Sequence, residues 1–314
     1  MIRPLVSIIV TAYKVEKYFD ACLRSVVEQS YDSLQCIVVV DGSPDRCDEI
    51  ADHYERHHPD IFHIKKIPNS GVSAARNKGI EFVKGDFLIF LDGDDRLAPN
   101  YIQVLVETAV KKYADIVIAA MDDCFDDGSI RSSYLNRNFS SDGLVEKKSA
   151  LNYIPVCGKL FRFDRVRDIS FPVGLLHEDN YYSVAALNES RNVYVVTHAR
   201  YLRTIRGSGH ASITQSLSLK SFLNYLDCLV LSLGYLKNRG SDTLFVFNLI
   251  SGNLFGIFHY KNVLKINAWS FSKIFLRNYL IPLFLLFPIM SLFGIFGFFC
   301  FAGKDRLLIL LGRK

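Results

Sequence analysis

The chain has 314 residues, half of them hydrophobic, with 24 Phe and 16 Tyr. That is enough apolar matter for one large or two modest cores, and it excludes a disordered chain. The net charge of +5 is not gathered on one Lys/Arg-rich element, so nucleic acid is not an expected partner. Seven scattered cysteines form no CxxC pair and no zinc-ligand spacing; they read as reduced core thiols of a cytosolic protein.

The first residues run straight into a strand-like stretch without a signal peptide, so the N-terminal domain is expected to stay in the cytosol. Residues 5–10 form an apolar run of strand length, and 18–29 carry helical spacing through Phe19, Leu23, Val26 and Val27. Residues 36–40 predict a second strand, 45–57 a helix, 62–67 a weak strand and 72–83 a helix. A short buried strand over 87–91, a helix over 101–112 and a strand over 116–120 complete the alternation. Apolar strands separated by helices predict an α/β fold: a mostly parallel, Rossmann-like sheet covered on both faces. Residues 121–146 are rich in Asp, Ser and Asn and read as a loop. The acids in it, Asp122, Asp123, Asp126 and Asp127, do not match calcium-loop spacing and read as a solvated surface. A polar turn at Gly207-Ser208-Gly209-His210 follows, then helices over 217–236 and 242–259. Residues 261–277 add four basic residues and no acid, which suits an anionic membrane surface. Residues 278–303 carry no charge, and a span needs about 20 apolar residues. Pro282 and Pro288 interrupt the run and basic residues flank both ends, so a spanning helix and an in-plane anchor both stay open.

Parallel sheets bind ligands at the carboxyl ends of their strands, and those ends are polar here. The first strand runs into Thr11-Ala12-Tyr13, the second into Asp41-Gly42-Ser43, and the strand over 87–91 into Asp92-Gly93-Asp94-Asp95. Asn69-Ser70-Gly71 precedes the helix that carries Arg76 and Asn77. Neither a GxGxxG nor a GxxxxGK[ST] loop is present, which argues against dinucleotide and P-loop readings. Carboxylates at Asp92 and Asp94, just past a buried strand, can face one cleft and suit Mg²⁺ or Mn²⁺ shared with substrate phosphates. A bare turn is the bland alternative, since Asp and Gly favour turns in any case.

These four motifs, in this order and at these separations, resemble the family 2 glycosyltransferases, inverting enzymes of the GT-A type that use nucleotide sugars. Further on, Lys159-Leu160-Phe161, Phe171 and Glu178-Asp179 resemble the acceptor side of bacterial capsule, O-antigen and exopolysaccharide transferases, so that the likeness covers about residues 4–215. The resemblance implies that Thr11, Tyr13 and Asp41 hold the nucleotide base and Arg76 lies beside ribose or pyrophosphate. It implies that Asp92 binds the ribose, Asp94 coordinates Mn²⁺ or Mg²⁺, and Asp179 is the general base, with Glu178 as its neighbouring alternative. Two positions depart from the family pattern: Val40 stands where a second acid is frequent, and Lys14 where Asn is frequent.

The expected organisation is a nucleotide-sugar half over 1–120, an acceptor half over 121–215, a helical basic region over 216–277 and a hydrophobic segment with basic tail over 278–314. The expected activity is transfer of a hexosyl or N-acetylhexosaminyl group from a UDP-sugar to a hydroxyl of a growing, lipid-linked surface glycan. The place is the cytoplasmic face of the plasma membrane of a bacterium. One alternative is a polyprenyl-phosphate glycosyltransferase. Another, of a different class, is a non-catalytic membrane-anchored binding protein, against which the retained Asp92, Asp94 and Asp179 argue.

Overall fold

The computed structural model describes residues 3–207 and 218–242, with 245–246, 248–249 and 277 besides. The expected features at 208–217, the helix over 242–259 beyond a few residues, and the hydrophobic segment 278–303 lie outside these. The chain forms two compact units, one of Met1–Gly174 with Tyr182–Ser212 and one of Leu175–Tyr181 with Ile213–Lys314.

The first unit is built on one sheet. Strand β1 (Val6–Ala12), helix α1 (Glu16–Val27), β2 (Leu34–Asp41), α2 (Cys47–His57), β3 (Phe62–Ile67), α3 (Val72–Ile80) and β4 (Phe87–Asp92) follow in turn. Strands β3, β2, β1 and β4 lie side by side in that order, all parallel. Val, Ile and Leu dominate β1, β2 and β4, and β2 is buried along its whole length. Each such side chain contributes roughly 1.5–3 kcal/mol on burial. The helices alternate apolar and charged faces: α1 buries Phe19, Cys22, Leu23 and Val26 against the sheet and leaves Asp20 and Arg24 to pair at its surface.

The rest of the sheet is mixed. After β5 (Arg96–Leu97) and α4 (Tyr101–Lys112), β6 spans Ile116–Phe125. It continues five residues past the predicted end, because Met121 and Cys124 remain buried there and two acids of the stretch are ion-paired: Asp122 with Arg200 and Asp123 with Arg203. The polar connection expected over 121–146 therefore begins as strand. It also holds β7 (Ile130–Ser132), a 3₁₀ turn at Tyr134–Asn138 and β8 (Gly143–Val145). Next come the one-turn helix α5 (Lys147–Ala150), β9 (Lys159–Arg162) and the one-turn helix α6 (Phe163–Val166). Then come α7 (Glu178–Glu189) and β10 (Val193–Ile205). Strand β9 sits between β4 and β6 and is antiparallel to both. Strand β10 runs parallel to β6, with a register shift between Val196 and Arg200.

Lys159, in β9, is 1% exposed, and its ammonium donates to the carbonyls of Tyr153 (2.7 Å) and Pro155 (2.6 Å) and to Ser183 Oγ (3.1 Å). A buried ammonium persists only with such partners, and this one ties down the turn before β9. The described cysteines are all buried free thiols, and burial pushes Cys47 up to about 12.

In the second unit, residues 175–181 lie along α8 (Leu219–Asn238). Leu176 N–H donates to Asn224 Oδ1 (3.2 Å), His177 Nε2 meets Ser221 Oγ at 2.8 Å, and Tyr181 packs edge-on against Tyr235. Helix α8 opens with Ser218, whose hydroxyl accepts the Ser221 N–H (3.1 Å), an N-cap that satisfies an otherwise open donor. Among the described residues, no helix is long and apolar enough to cross a membrane.

Candidate active site

The carboxyl ends of β1, β2 and β4 lie level, with Thr11 paired to Asp92 and Ala12 to Val40. At the end of β1, Tyr13 is 42% exposed, a ring available for stacking on a planar ligand. The next residue, Lys14, has φ +54°, a left-handed conformation in which Asn is more at ease than Lys. This accounts for the frequency of Asn at that position in the family pattern. The Lys14 ammonium lies 5.2 Å from the centre of the Tyr13 ring.

Asp41, at the end of β2, is 3% exposed, and its two oxygens accept the backbone N–H groups of Ser70 (2.7 Å) and Gly71 (2.8 Å). It therefore shapes the turn into α3, and each oxygen keeps a second lone pair. Gly42 follows at φ +58°, and a Cβ there would lie 2.5 Å from Asn69 N; only glycine fits between the two loops. Asp45 joins the two helices that open on this edge. It accepts the Glu16 N–H (3.0 Å) and the Ser43 hydroxyl (2.5 Å), and Glu16 in turn accepts the Arg46 N–H (3.0 Å).

The Asp92-Gly93-Asp94-Asp95 turn is held from both sides. Gly93 N–H donates to Thr11 O (3.0 Å), and a Cβ on Gly93 would stand 2.7 Å from that oxygen. Arg76, whose side chain is 4% exposed, donates through Nη2 to Asp92 Oδ1 (3.0 Å). On the far side the end of β10 supplies three groups that the sequence reading did not identify. The Tyr201 hydroxyl donates to Asp95 Oδ2 (2.7 Å) and accepts the Asp92 N–H (3.3 Å). Thr204 N–H donates to Asp95 Oδ1 (2.7 Å), and its hydroxyl donates to Asp94 O (2.5 Å). Arg206 donates through Nε (2.8 Å) and Nη2 (2.5 Å) to Asp94 Oδ2. These residues escape a sequence reading because their partners lie more than 100 residues earlier in the chain.

The three acids divide by environment. Burial, reinforced by Asp94 and Asp92, lifts the Asp95 carboxyl well above the usual range. Its two oxygens are spent on Tyr201 and Thr204, so it braces the turn. Burial and the Asp92 charge also raise Asp94, with Arg206 pulling the other way. Asp92 accepts from Arg76 and Asp94 from Arg206. Among the described residues no group of three or more His, Cys, Asp or Glu is arranged to hold a metal. A hard divalent ion fits here through one or two carboxylates, with phosphate oxygens of a ligand completing its shell.

Glu178 and Asp179 form the first turn of α7 and belong to the second unit, with Glu178 buried. Acids at this end are favoured by the helix dipole. His177, just before them, has φ +67°, and burial lowers its pKa. The structure thus gathers Thr11, Tyr13, Asp41, Arg76, Asp92 and Asp94 along one sheet edge of the first unit, and groups Glu178 and Asp179 with the second.

Comparison with known proteins assigns the class of this fold. The glycosyl transferase family 2 model matches residues 7–170, and the chain belongs to that family. EpsH of Bacillus subtilis is 33% identical over 232 residues, covering 71% of this chain and 66% of EpsH. The minor teichoic acid biosynthesis protein GgaB of the same organism is 25% identical over 224 residues, covering 70% of this chain and 25% of GgaB. The chain thus spans two thirds or less of these relatives' length. In three dimensions it resembles residues 1–349 of Staphylococcus aureus TarS in complex with UDP-GlcNAc. That match has a TM-score of 0.73 at 18% identity, over 90% of this chain and 80% of the other, and supports the GT-A-like α/β fold.

Proposed function

We propose that this glycosyltransferase moves a hexosyl or N-acetylhexosaminyl group from a UDP-sugar to a hydroxyl of a growing, lipid-linked surface glycan, with inversion at the anomeric carbon. The observation that carries the reading is the turn after β4. There Asp92 and Asp94 stand side by side at a strand end, braced by Arg76, Tyr201, Thr204 and Arg206. Support for UDP comes from the TarS complex, and support for a surface-glycan acceptor from the likeness to a teichoic acid biosynthesis protein.

In this reading Tyr13 stacks on the base, Thr11 and Asp41 hydrogen-bond it, Asp92 holds the ribose and Arg76 stays beside the nucleotide. Asp94 is the metal ligand. Mn²⁺ or Mg²⁺, when bound, neutralises charge on the departing diphosphate. The Arg206 guanidinium on Asp94 already neutralises that carboxylate in part, and it has to yield an oxygen. Asp179 takes the proton of the acceptor hydroxyl as its oxygen attacks the anomeric carbon, with Glu178 as the alternative base. The uncharged residues 278–303 and the basic residues around them bring the enzyme to the cytoplasmic membrane surface, where a lipid-linked acceptor is concentrated.

The test is hydrolysis of a panel of UDP- and GDP-sugars by the full chain, with and without chelator, alongside Asp94→Ala and Asp179→Ala. Turnover of one UDP-sugar that is lost on chelation and in both variants supports the reading. Failure of any nucleotide sugar to bind with Mn²⁺ refutes it.

A further inference from the structure

Phe171 has no part in the reading above, yet both its backbone and its ring are held. Asn77, in α3, donates through Nδ2 to Phe171 O (2.9 Å) and accepts the Phe171 N–H through Oδ1 (2.7 Å). One carboxamide thus satisfies both backbone groups of a residue 94 positions away. The ring is 2% exposed; the Tyr182 ring stacks on it at 4.2 Å with an 8° tilt, and Phe90 of β4 meets it edge-on at 5.3 Å. The Arg76 guanidinium lies over it, 5.2 Å from its centre. Arg76, Asn77, Phe90, Asp92, Phe171 and Tyr182 all belong to the first unit.

Arg76 and Asn77 are consecutive residues of one helix. Helix α3 therefore presents a guanidinium and, next to it, the clamp that fixes the ring beside that guanidinium. The helix itself is anchored just before its first turn, where Asp41 takes the Ser70 and Gly71 N–H groups. The Arg76 side chain is 4% exposed and has given up most of its water. A ring face attracts a desolvated guanidinium and suits its plane, so Phe171 restricts a long side chain that otherwise samples many rotamers. From this seat Nη2 reaches Asp92 Oδ1 at 3.0 Å, while the Asp92 side chain remains 38% exposed and open to a ligand. The seat thus bears on which way the Asp92 carboxylate faces.

We propose that Phe171, clamped by Asn77, is a positioning residue for donor binding: it seats the Arg76 guanidinium against Asp92 and so orients the carboxylate that takes the nucleotide. The proposal rests on the reading of Arg76 and Asp92 as nucleotide-side groups. Phe171 touches no substrate in this account and acts through Arg76. Its loss weakens UDP binding, and does so only while Arg76 is present.

The experiment is a double-mutant cycle in the full chain: wild type, Phe171→Leu, Arg76→Ala and the double variant. Leucine keeps an apolar side chain but removes the flat ring. UDP affinity with Mn²⁺ is read by calorimetry, and the urea midpoint without nucleotide is read beside it. The expected result is UDP bound about tenfold more weakly by Phe171→Leu and by Arg76→Ala, with the double variant within about twofold of Arg76→Ala. UDP affinity unchanged in Phe171→Leu but reduced in Arg76→Ala overturns the proposal and leaves the reading of Arg76 standing. An equal loss on Phe171→Leu in both backgrounds also overturns it, since a general loosening of the core does not require Arg76. Unchanged affinity in Arg76→Ala refutes the nucleotide-side reading of Arg76 itself, and the proposal falls with it. If wild type binds no UDP, the donor reading fails, and the seat is decided by the urea midpoints: shifts that do not add support it, and additive shifts overturn it. Should Phe171→Leu not fold, Asn77→Ala, which keeps the ring but frees its backbone, carries the same readouts.

Discussion

The bond between Tyr201 and Asp95 gives the sharpest test of how the charged turn is held. Tyr201→Phe removes one hydroxyl and nothing else. It strips Asp95 Oδ2 of a donor at 2.7 Å in a buried setting and the part-buried Asp92 N–H of an acceptor at 3.3 Å. Leaving a buried polar group without its partner costs roughly 1–3 kcal/mol, and the longer contact adds about 0.5. The expected loss is about 2–3 kcal/mol, which lowers Tm by roughly 5–10 °C in a unit of this size. Asp95→Asn serves as the second corner of a double-mutant cycle, because it replaces the carboxyl group while keeping an acceptor for Thr204 N–H. Thermal unfolding of the wild type, both single variants and the double variant gives a coupling of about 1.5 kcal/mol or more. A Tm within 1 °C of wild type for Tyr201→Phe, or additive effects within about 0.5 kcal/mol, refutes the argument that Asp95 braces the turn through β10.

Other outcomes follow from the same geometry. Because the Asp95 pKa is raised above 3.8, the native state holds a proton that the unfolded chain has lost. Its contribution to stability is complete below that value and lost as pH rises toward the folded-state pKa. The Tm of Asp95→Asn relative to wild type therefore climbs from pH 4 to pH 7, and a constant difference rejects the shift. Gly42→Ala, with φ +58° and a Cβ 2.5 Å from Asn69 N, costs about 2 kcal/mol or more in a urea titration, whereas open surface glycines tolerate alanine better. The Tyr182 hydroxyl is buried and has no hydrogen-bond partner among the described residues, so Tyr182→Phe leaves the urea midpoint unchanged or raises it. Arg206→Ala frees Asp94 Oδ2, and Mn²⁺ binding to the nucleotide-free protein, followed by electron paramagnetic resonance, tightens several-fold; weaker binding would show that Arg206 supports the metal site.

The parallel half of the sheet was legible because each of its strands is an apolar run and each of its helices an amphipathic one. For β1 to β4 and α1 to α4 the expected and observed bounds differ by a few residues at most. Thr11, Asp41, Arg76, Asp92 and Asp94 could be placed at strand ends or beside them because parallel topology alone puts those ends on one edge. The second half was less readable for identifiable reasons. Strand β9 is only four residues long and contains a lysine, so nothing in its composition signals a central strand. Strand β6 runs on through Asp122 and Asp123 because Arg200 and Arg203 pair with them from β10, a long-range fact that no local pattern reveals. Tyr201, Thr204 and Arg206 were missed for the same reason: their partners lie more than 100 residues earlier.

The place of β9 bears on how the chain is assembled. The strands written first, β1 to β4, pair among themselves, but one side of β4 is completed only by residues 159–162, and β6 waits for the same residues. On the ribosome the open side of β4 stays unpaired until some 70 further residues have been made. A shortened protein that stops near residue 120 inherits that exposed margin permanently and is expected to self-associate through it, whereas one that ends after β10 pairs that side of β4 with its own β9.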